Sequence, residues 1–221
     1  MSERRRIARR ISSLCDGFLV KRYTRGKLMS DPLYEGVHRE LDGSVHPLLD
    51  IGCGMGILAM YLRERKWGNP VSGFDYDETK IADGRAMLAK GGYEMVSLDQ
   101  GDARKGLPDH SGDVTILGIL QFFDPAEQRE LLRLAAARVA PGGKLVVRSG
   151  LLEKNMRFTV TWLVDLFAKA TFWMKAAPVN YPTREFFREM LESEGFEVEI
   201  KPLWGITPFN NFMILAKRPE E

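Results

Sequence analysis

The sequence predicts one α/β domain built on a doubly wound, mostly parallel sheet, and three observations carry that expectation. From residue 46 to residue 218, short apolar runs of strand type alternate with longer segments of helical period. The first run passes straight into glycines at 52, 54 and 56 and then into a helical pattern, "LLDIGCGMGILAMYL". The 221 residues, 44% apolar and 28% charged, suit a single domain with a sizeable core. In such sheets crossovers are right-handed and ligands bind beyond the carboxyl ends of the strands, so the glycine turn marks the expected site.

The N-terminal arm, "SLCDGFLVKRYTRGKLMSDPLY", spaces its apolar residues as a helix leading into a turn around Gly26. A further helix is expected over 31–41, with Ser30 or Asp31 as its cap and Pro32 near its start. "HPLLDI" (46–51) reads as a buried strand and "GILAMYLRERK" (56–66) as the helix after it. "PVSGFD" (70–75) is the next strand, after which Asp77 caps a helix through about Lys90. "YEMVSL" (93–98) and "DVTILGIL" (113–120) are further strands. In "DPAEQRELLRLAAARVAPGG", Asp124 stands at the N-cap, Pro125 at the first helical position and Glu127 at the third, and Pro-Gly-Gly ends the helix. "KLVVRS" (144–149) follows as a strand, Thr183 opens a helix that Gly195 ends, and "FEVEIKPLW" with "NNFMILAKR" form a closing strand pair. No internal repeat interrupts this order.

A net charge of +2 gives no overall pull toward nucleic acid, although residues 1–27 hold nine Lys or Arg against Glu3 and Asp16. Those basic residues lack the interleaved aromatics of single-strand binders, which counts against a nucleic-acid partner. Cys15 and Cys53 stand alone, without metal-type spacing, so neither a disulfide framework nor a metal site is expected. The first twenty residues hold no apolar stretch of signal-peptide length, and a cytoplasmic protein is expected.

The glycine turn narrows the ligand. A dinucleotide fingerprint wants G-x-G-x-x-G, and the place of its third glycine is Ile57; a P-loop ends in Gly-Lys-Ser/Thr, and nothing of that kind follows Gly56. A carboxylate at Asp50 repels phosphate but suits a cationic amino group, held directly or through water. A ligand with an ammonium and no phosphate at that turn fits better.

"LDIGCGMG" resembles the first motif of the class I S-adenosylmethionine-dependent methyltransferases, and three later segments, "GDARKGLP", "DVTILGILQFF" and "RVAPGGKLVV", resemble that family in order and spacing. The resemblance covers about residues 46–149 and, more loosely, the closing strands. It implies a Rossmann-like seven-stranded sheet whose last strand is antiparallel, S-adenosyl-L-methionine as cofactor and S-adenosyl-L-homocysteine as product. Implied cofactor contacts run along Asp50, Gly52, Cys53, Gly54 and Gly56. They continue through Asp75, whose carboxylate would take both ribose hydroxyls, with Tyr76 beside it. Asp102 would meet the adenine amino group, the Ala103 amide the ring, Leu117 the cofactor wall and Gln121 the methionine end. Cys53 itself reads as a small residue fitting a crowded turn, not a nucleophile. One domain is expected, with an arm or cap at 1–45, a cofactor core at 46–150, a helical insertion at 151–183 and the last helix with its strand pair at 184–221.

Methyl transfer asks for alignment and exclusion of water more than for side-chain chemistry, with a general base where an oxygen or nitrogen acceptor needs one. His38, Tyr23, Tyr34 and Tyr181 are the candidates for that role; His46 reads as structural and His110 as part of a solvated loop before the fourth strand. The insertion places Arg157, Thr161, Asp165 and Lys169 on one polar ridge, with Phe158, Trp162, Leu166, Phe167, Phe172 and Trp173 elsewhere on the helix. It is too short and too charged to span a membrane, and reads as core packing, a lid, a dimer surface or a peripheral membrane contact. The expected acceptor is a small hydrophobic or aromatic molecule. "KRYTRGKLMSDPLY" with the glycine turn is also similar to methyltransferases of aryl polyene pigment synthesis, which implies a phenolic ring, free or on an acidic carrier protein that the basic arm would meet. An RNA or protein methyltransferase, and a binding module without turnover, are the alternatives.

Overall fold

The computed structural model describes residues 2–153, 156–160 and 180–220. Among them, seven strands form one sheet: β1 (Leu48–Ile51), β2 (Val71–Asp75), β3 (Val96–Gln100), β4 (Asp113–Leu117), β5 (Lys144–Gly150), β6 (Glu197–Pro202) and β7 (Asn211–Lys217). Their spatial order is β3-β2-β1-β4-β5-β7-β6. The first five run parallel, and β7 lies antiparallel between β5 and β6. The helices are α1 (Glu3–Leu14), α2 (Phe18–Ser30), α3 (Leu33–Leu41), α4 (Ile57–Glu64), α5 (Glu78–Gly91), α6 (Pro125–Ala136) and α7 (Arg184–Glu192).

The doubly wound reading follows from burial on both faces. All four residues of β1 are buried, as a strand covered on each side requires. One face packs α1, α3, α4 and α5 through Ile7, Ile11, Val37, Met60, Leu62 and Ile81. The other packs α6 and α7 through Leu131, Leu132, Phe187 and Leu191 against Val114, Ile116, Val147 and Ile214. Three of the expected caps form, whereas α3 has Pro32 at its N-cap, without a side-chain cap, in place of Ser30 or Asp31. The Asp77 carboxylate accepts from Thr79 N, Thr183 accepts from Phe186 N, and Asp124 with Glu127 closes a capping box at α6.

Three element expectations shift. Gly26 lies inside α2 rather than at a turn: Thr24 and Leu28, buried on either side of it, hold the helix through a residue that weakens helices by about 1 kcal/mol. The third strand starts at Val96, because Gly92 closes α5 in a left-handed conformation and Met95 turns the chain at φ 56°. The fourth strand stops at Leu117, where Gly118 at φ +77° leads into a short 3₁₀ turn over Leu120–Phe122. The crossover from β3 to β4 carries only a 3₁₀ turn, Ala103–Lys105. A groove of about 490 Å³, lined by Ser72, Phe74, Ser97, Asp99 and Asp102 among others, therefore runs along that part of the sheet. In the insertion, residues 156–160 are helical and the Phe158 ring stands edge-on to Tyr181 at 5.2 Å. The rest of the insertion ridge and its other aromatics lie outside the described residues. No helix among the described residues is long and apolar enough to cross a membrane.

Candidate cofactor and acceptor site

The site grows from the carboxyl end of β1. Gly52, Gly54 and Gly56 take φ of +73°, +57° and +69°, so all three alternate positions sit in the region that favours glycine. At Gly52 the need is doubled, since a Cβ there would lie 2.8 Å from the Ile119 side chain. The amides of Gly52 and Cys53 donate to the Phe74 carbonyl at 2.9 and 3.1 Å, which ties the turn to β2. Cys53 fills the space over Gly73, where a Cβ would come within 2.8 Å of it. Burial pushes its thiol well above the ordinary range, so it stays protonated and inert.

Asp75 stands at the end of β2 and is buried. One carboxylate oxygen accepts from Gly54 N at 2.9 Å and the other from Asp77 N at 2.9 Å. Two carboxylate oxygens offer about four acceptor positions, so about two remain, one on each oxygen. That is the donor count of a vicinal diol. Asp50 is buried under the turn and accepts from the Thr115 hydroxyl at 2.7 Å. Burial pushes its carboxyl up to about 6, the Thr115 bond opposes this, and the Asp75 charge adds to it. A cation brought to the turn would relieve both carboxylates at once.

Further along the edge, the Asp102 carboxylate accepts from Arg104 N at 3.0 Å and starts the 3₁₀ turn that holds Ala103. Arg104 is itself fixed by Glu127 at 3.0 Å and lies over the Phe123 ring at 4.4 Å. Tyr76 is about half exposed, next to Asp75. Leu117 ends β4, and Gln121 donates to the Gly118 carbonyl at 3.0 Å while its Oε1 is buried with no partner among the described residues. The structure thus brings the implied cofactor contacts, from Asp50 to Gln121, to one edge of the sheet. Among the described residues no cluster of His, Cys, Asp or Glu is fit to hold a metal.

The four candidate bases divide. His38 stands on α3 beside Arg65, which follows the last turn of α4. The α4 helix starts at the glycine turn and is about 12 Å long, so His38 is carried toward the opposite end of the sheet. Burial, then Arg65, lowers its pKa. Tyr34 is buried on α3 against Tyr61, with ring centroids 5.7 Å apart. Burial pushes its hydroxyl up to about 12, so near neutral pH it offers a proton and does not take one. Tyr23 is half exposed on α2, with Lys27 Nζ 5.9 Å from its ring centroid. Tyr181 lies against Gly150 at the end of β5. His110 bonds the Asp113 carbonyl at 2.9 Å at the start of β4, away from this edge.

Sequence reasoning passed over Arg148. It sits in the apolar run of β5, and its Nη1 lies 2.5 Å from where a Gly118 Cβ would be. A charge two residues from the end of a buried strand was the available signal.

The sheet order and the strand-end contacts define a class, and the comparisons agree with it. Residues 48–143 match the family described as methyltransferase domain, so this segment carries a methyltransferase domain of the class I fold. Methyltransferase GfsG of Streptomyces halstedii is 32% identical over 162 residues, which are 71% of this chain and 56% of that one. The ribosomal protein L11 methyltransferase of Ralstonia pickettii is 32% identical over 118 residues, 52% of this chain and 36% of that one. The chain therefore spans roughly a third to just over half of the length of these relatives. Magnesium protoporphyrin IX methyltransferase from Synechocystis PCC 6803, solved with S-adenosylhomocysteine bound, superposes with a TM-score of 0.68 at 15% identity, covering 96% of this chain and 93% of that one.

Proposed function

We propose that this chain transfers a methyl group from S-adenosylmethionine to a small, largely apolar or aromatic acceptor. The observation that carries the reading is Asp75, buried at the end of β2 with both oxygens anchored by backbone amides and one acceptor position left on each. Bound across β1 and β2, S-adenosylmethionine supplies an electrophilic methyl carbon. The chain's own residues do the rest. Asp75 holds the ribose hydroxyls, Asp102 and the Ala103 amide hold the adenine, and the Gly52–Gly56 turn with Asp50 receives the amino-acid end. Leu117 and Gln121 wall the reacting centre and keep it dry, which favours alignment over side-chain catalysis. Tyr181 and Tyr34 border the acceptor's space; Tyr23 lies on the arm that covers it.

A macromolecular acceptor is the second reading, favoured by the likeness to the ribosomal protein L11 methyltransferase. On the basic arm, Phe18 and Leu19 are exposed beside Lys21 and Arg22, a surface that suits an acidic carrier protein. Calorimetry with S-adenosylhomocysteine, followed by methyl uptake from labelled cofactor into phenolic acids, carrier-bound phenolic acyl groups and ribosomal protein, separates these readings. Uptake by the free acids supports the small acceptor. Uptake by protein alone overturns it, and failure to bind S-adenosylhomocysteine overturns the whole reading.

A further inference from the structure

Lys27 and Arg148 act on each other electrostatically, and neither makes an ion pair among the described residues. Lys27, on α2, is only partly exposed, and the ionisable groups acting on it are Tyr34, Tyr23, Arg148 and Asp31. Asp31, the single acid among them, already accepts from Leu33 N at 3.0 Å where α3 begins. Arg148, on β5, shares the sheet face of Val146, toward α3, and its Nε is buried with no hydrogen-bond partner. Among the described residues neither cation makes an ion pair, and Gln121 adds an unpartnered buried oxygen nearby on the β4 side. Gly118 is the cradle: any side chain there would collide with the Arg148 guanidinium at 2.5 Å.

Two half-buried positive charges that act on each other, with Asp31 as the one acid near Lys27, are costly to keep together, and a ligand carboxylate would offset that cost. Arginine's planar fork and a lysine ammonium together match a carboxylate. Position decides which carboxylate. Strands lie about 4.8 Å apart, so Arg148 on β5 is about 10 Å from the β1 turn and about 14 Å from Asp75 on β2. The nucleoside and its amino-acid end occupy β1 and β2 in the function proposed above, and the cations stand on the other side of the methyl-transfer point.

We propose that Lys27 and Arg148 form a carboxylate-binding pair for the acceptor, with the Tyr34 hydroxyl as a neutral donor beside them. The substrate class is then an apolar or aromatic acid whose carboxylate is anchored between α2 and β5. This inference rests on the methyltransferase reading and narrows its acceptor.

The test is calorimetric and starts with the parent protein and S-adenosylhomocysteine. Benzoate and benzamide are then titrated onto the protein saturated with that product. Benzoate is expected to bind at least tenfold tighter than benzamide. Arg148→Gln and Lys27→Met should each weaken benzoate tenfold or more, Lys27→Arg should recover most of the loss, and S-adenosylhomocysteine affinity should stay within threefold. Unfolding curves confirm that each variant folds. Equal binding of acid and amide, or benzoate binding indifferent to both substitutions, overturns the proposal. So does a tenfold loss of S-adenosylhomocysteine with 5′-methylthioadenosine unaffected, which would give the pair to the cofactor's own carboxylate. If the parent ignores S-adenosylhomocysteine, the methyltransferase reading falls. Benzoate against benzamide on the unliganded protein then still judges the pair.

Discussion

The two halves of the strand edge are finished differently. Over β1 and β2 the polar groups are satisfied by the fold itself: Asp75 by two amides, Asp50 by Thr115, the turn amides by the Phe74 carbonyl. Over β4 and β5 the fold leaves Arg148 Nε and Gln121 Oε1 buried without partners among the described residues. Buried polar groups are normally paired, so under the proposed function the first half is a preformed seat and the second is completed by a ligand. The difference teaches where each kind of specificity resides. Under the proposed function, a constant cofactor is met by backbone turns and short-range caps, and a particular acceptor by side chains from elements far apart in sequence.

The largest expected effect tests the preformed half. Asp75→Ala removes the acceptor of two backbone amides and, under the proposed function, of both ribose hydroxyls, and hydrogen bonds to a charged group are worth about 1.5–3 kcal/mol each. S-adenosylhomocysteine affinity should fall roughly a hundredfold or more. Binding as tight as the parent's, read by calorimetry, would break the comparison at its root.

Gly84→Ala probes the same half through packing. Gly84 lies in α5 on the back of the glycine turn, and a Cβ would stand 2.8 Å from the Met55 carbonyl oxygen and from a Leu98 methyl. Overpacking costs about 1–3 kcal/mol, more than the roughly 1 kcal/mol that alanine gains as a helix former. Denaturant unfolding should show a net loss, with weaker S-adenosylhomocysteine binding because Met55 belongs to the turn.

Asp50 gives the comparison a pH axis. Its carboxyl is raised from 3.8 to about 6, chiefly by burial. The folded protein therefore holds this proton more tightly than the unfolded chain between about pH 4 and 6. Stability from this group falls as pH rises through that window, by about 3 kcal/mol in all, and the loss is complete above pH 6. A cationic ligand reverses the preference, since it needs the ionised form. S-adenosylhomocysteine affinity should thus weaken about tenfold from pH 7 to pH 5, and Asp50→Asn should flatten both dependences. A parent affinity independent of pH would remove Asp50 from the seat.

The seat was readable from the chain because each part is local. A glycine at every second position, an acid closing each strand and Asp124 with Pro125 and Glu127 are short patterns with one physical meaning, and they place β1, β2 and α6 within a residue or two. Boundaries failed where tertiary contact overrides propensity: Gly26 inside α2, and β4 cut short at Gly118. The open half was unreadable for a different reason. Lys27, Tyr34 and Arg148 lie on three elements that only the completed sheet brings together, and Arg148 is hidden in an apolar strand pattern. His38 shares α3 with Tyr34, yet one helical turn carries it away toward Arg65.

The smallest expected effect concerns the arm that carries Lys27. Gly26 sits one residue before it in α2, exposed, with ordinary helical backbone and nothing within 4 Å of an added Cβ. Alanine there meets no obstacle and removes the glycine penalty, so Gly26→Ala should stabilise by about 1 kcal/mol, or about 2–4 °C in Tm for a chain of this size. The sign is opposite to that at Gly84, although both glycines lie in helices, because Gly84 is packed against the seat and Gly26 faces solvent. If α2 closes over the acceptor as a rigid helix, the same substitution should also tighten benzoate slightly by lowering the ordering cost of Lys27. A destabilised Gly26→Ala would mean that the chain turns at this glycine, and Lys27 would then no longer be held against Tyr34 and Arg148.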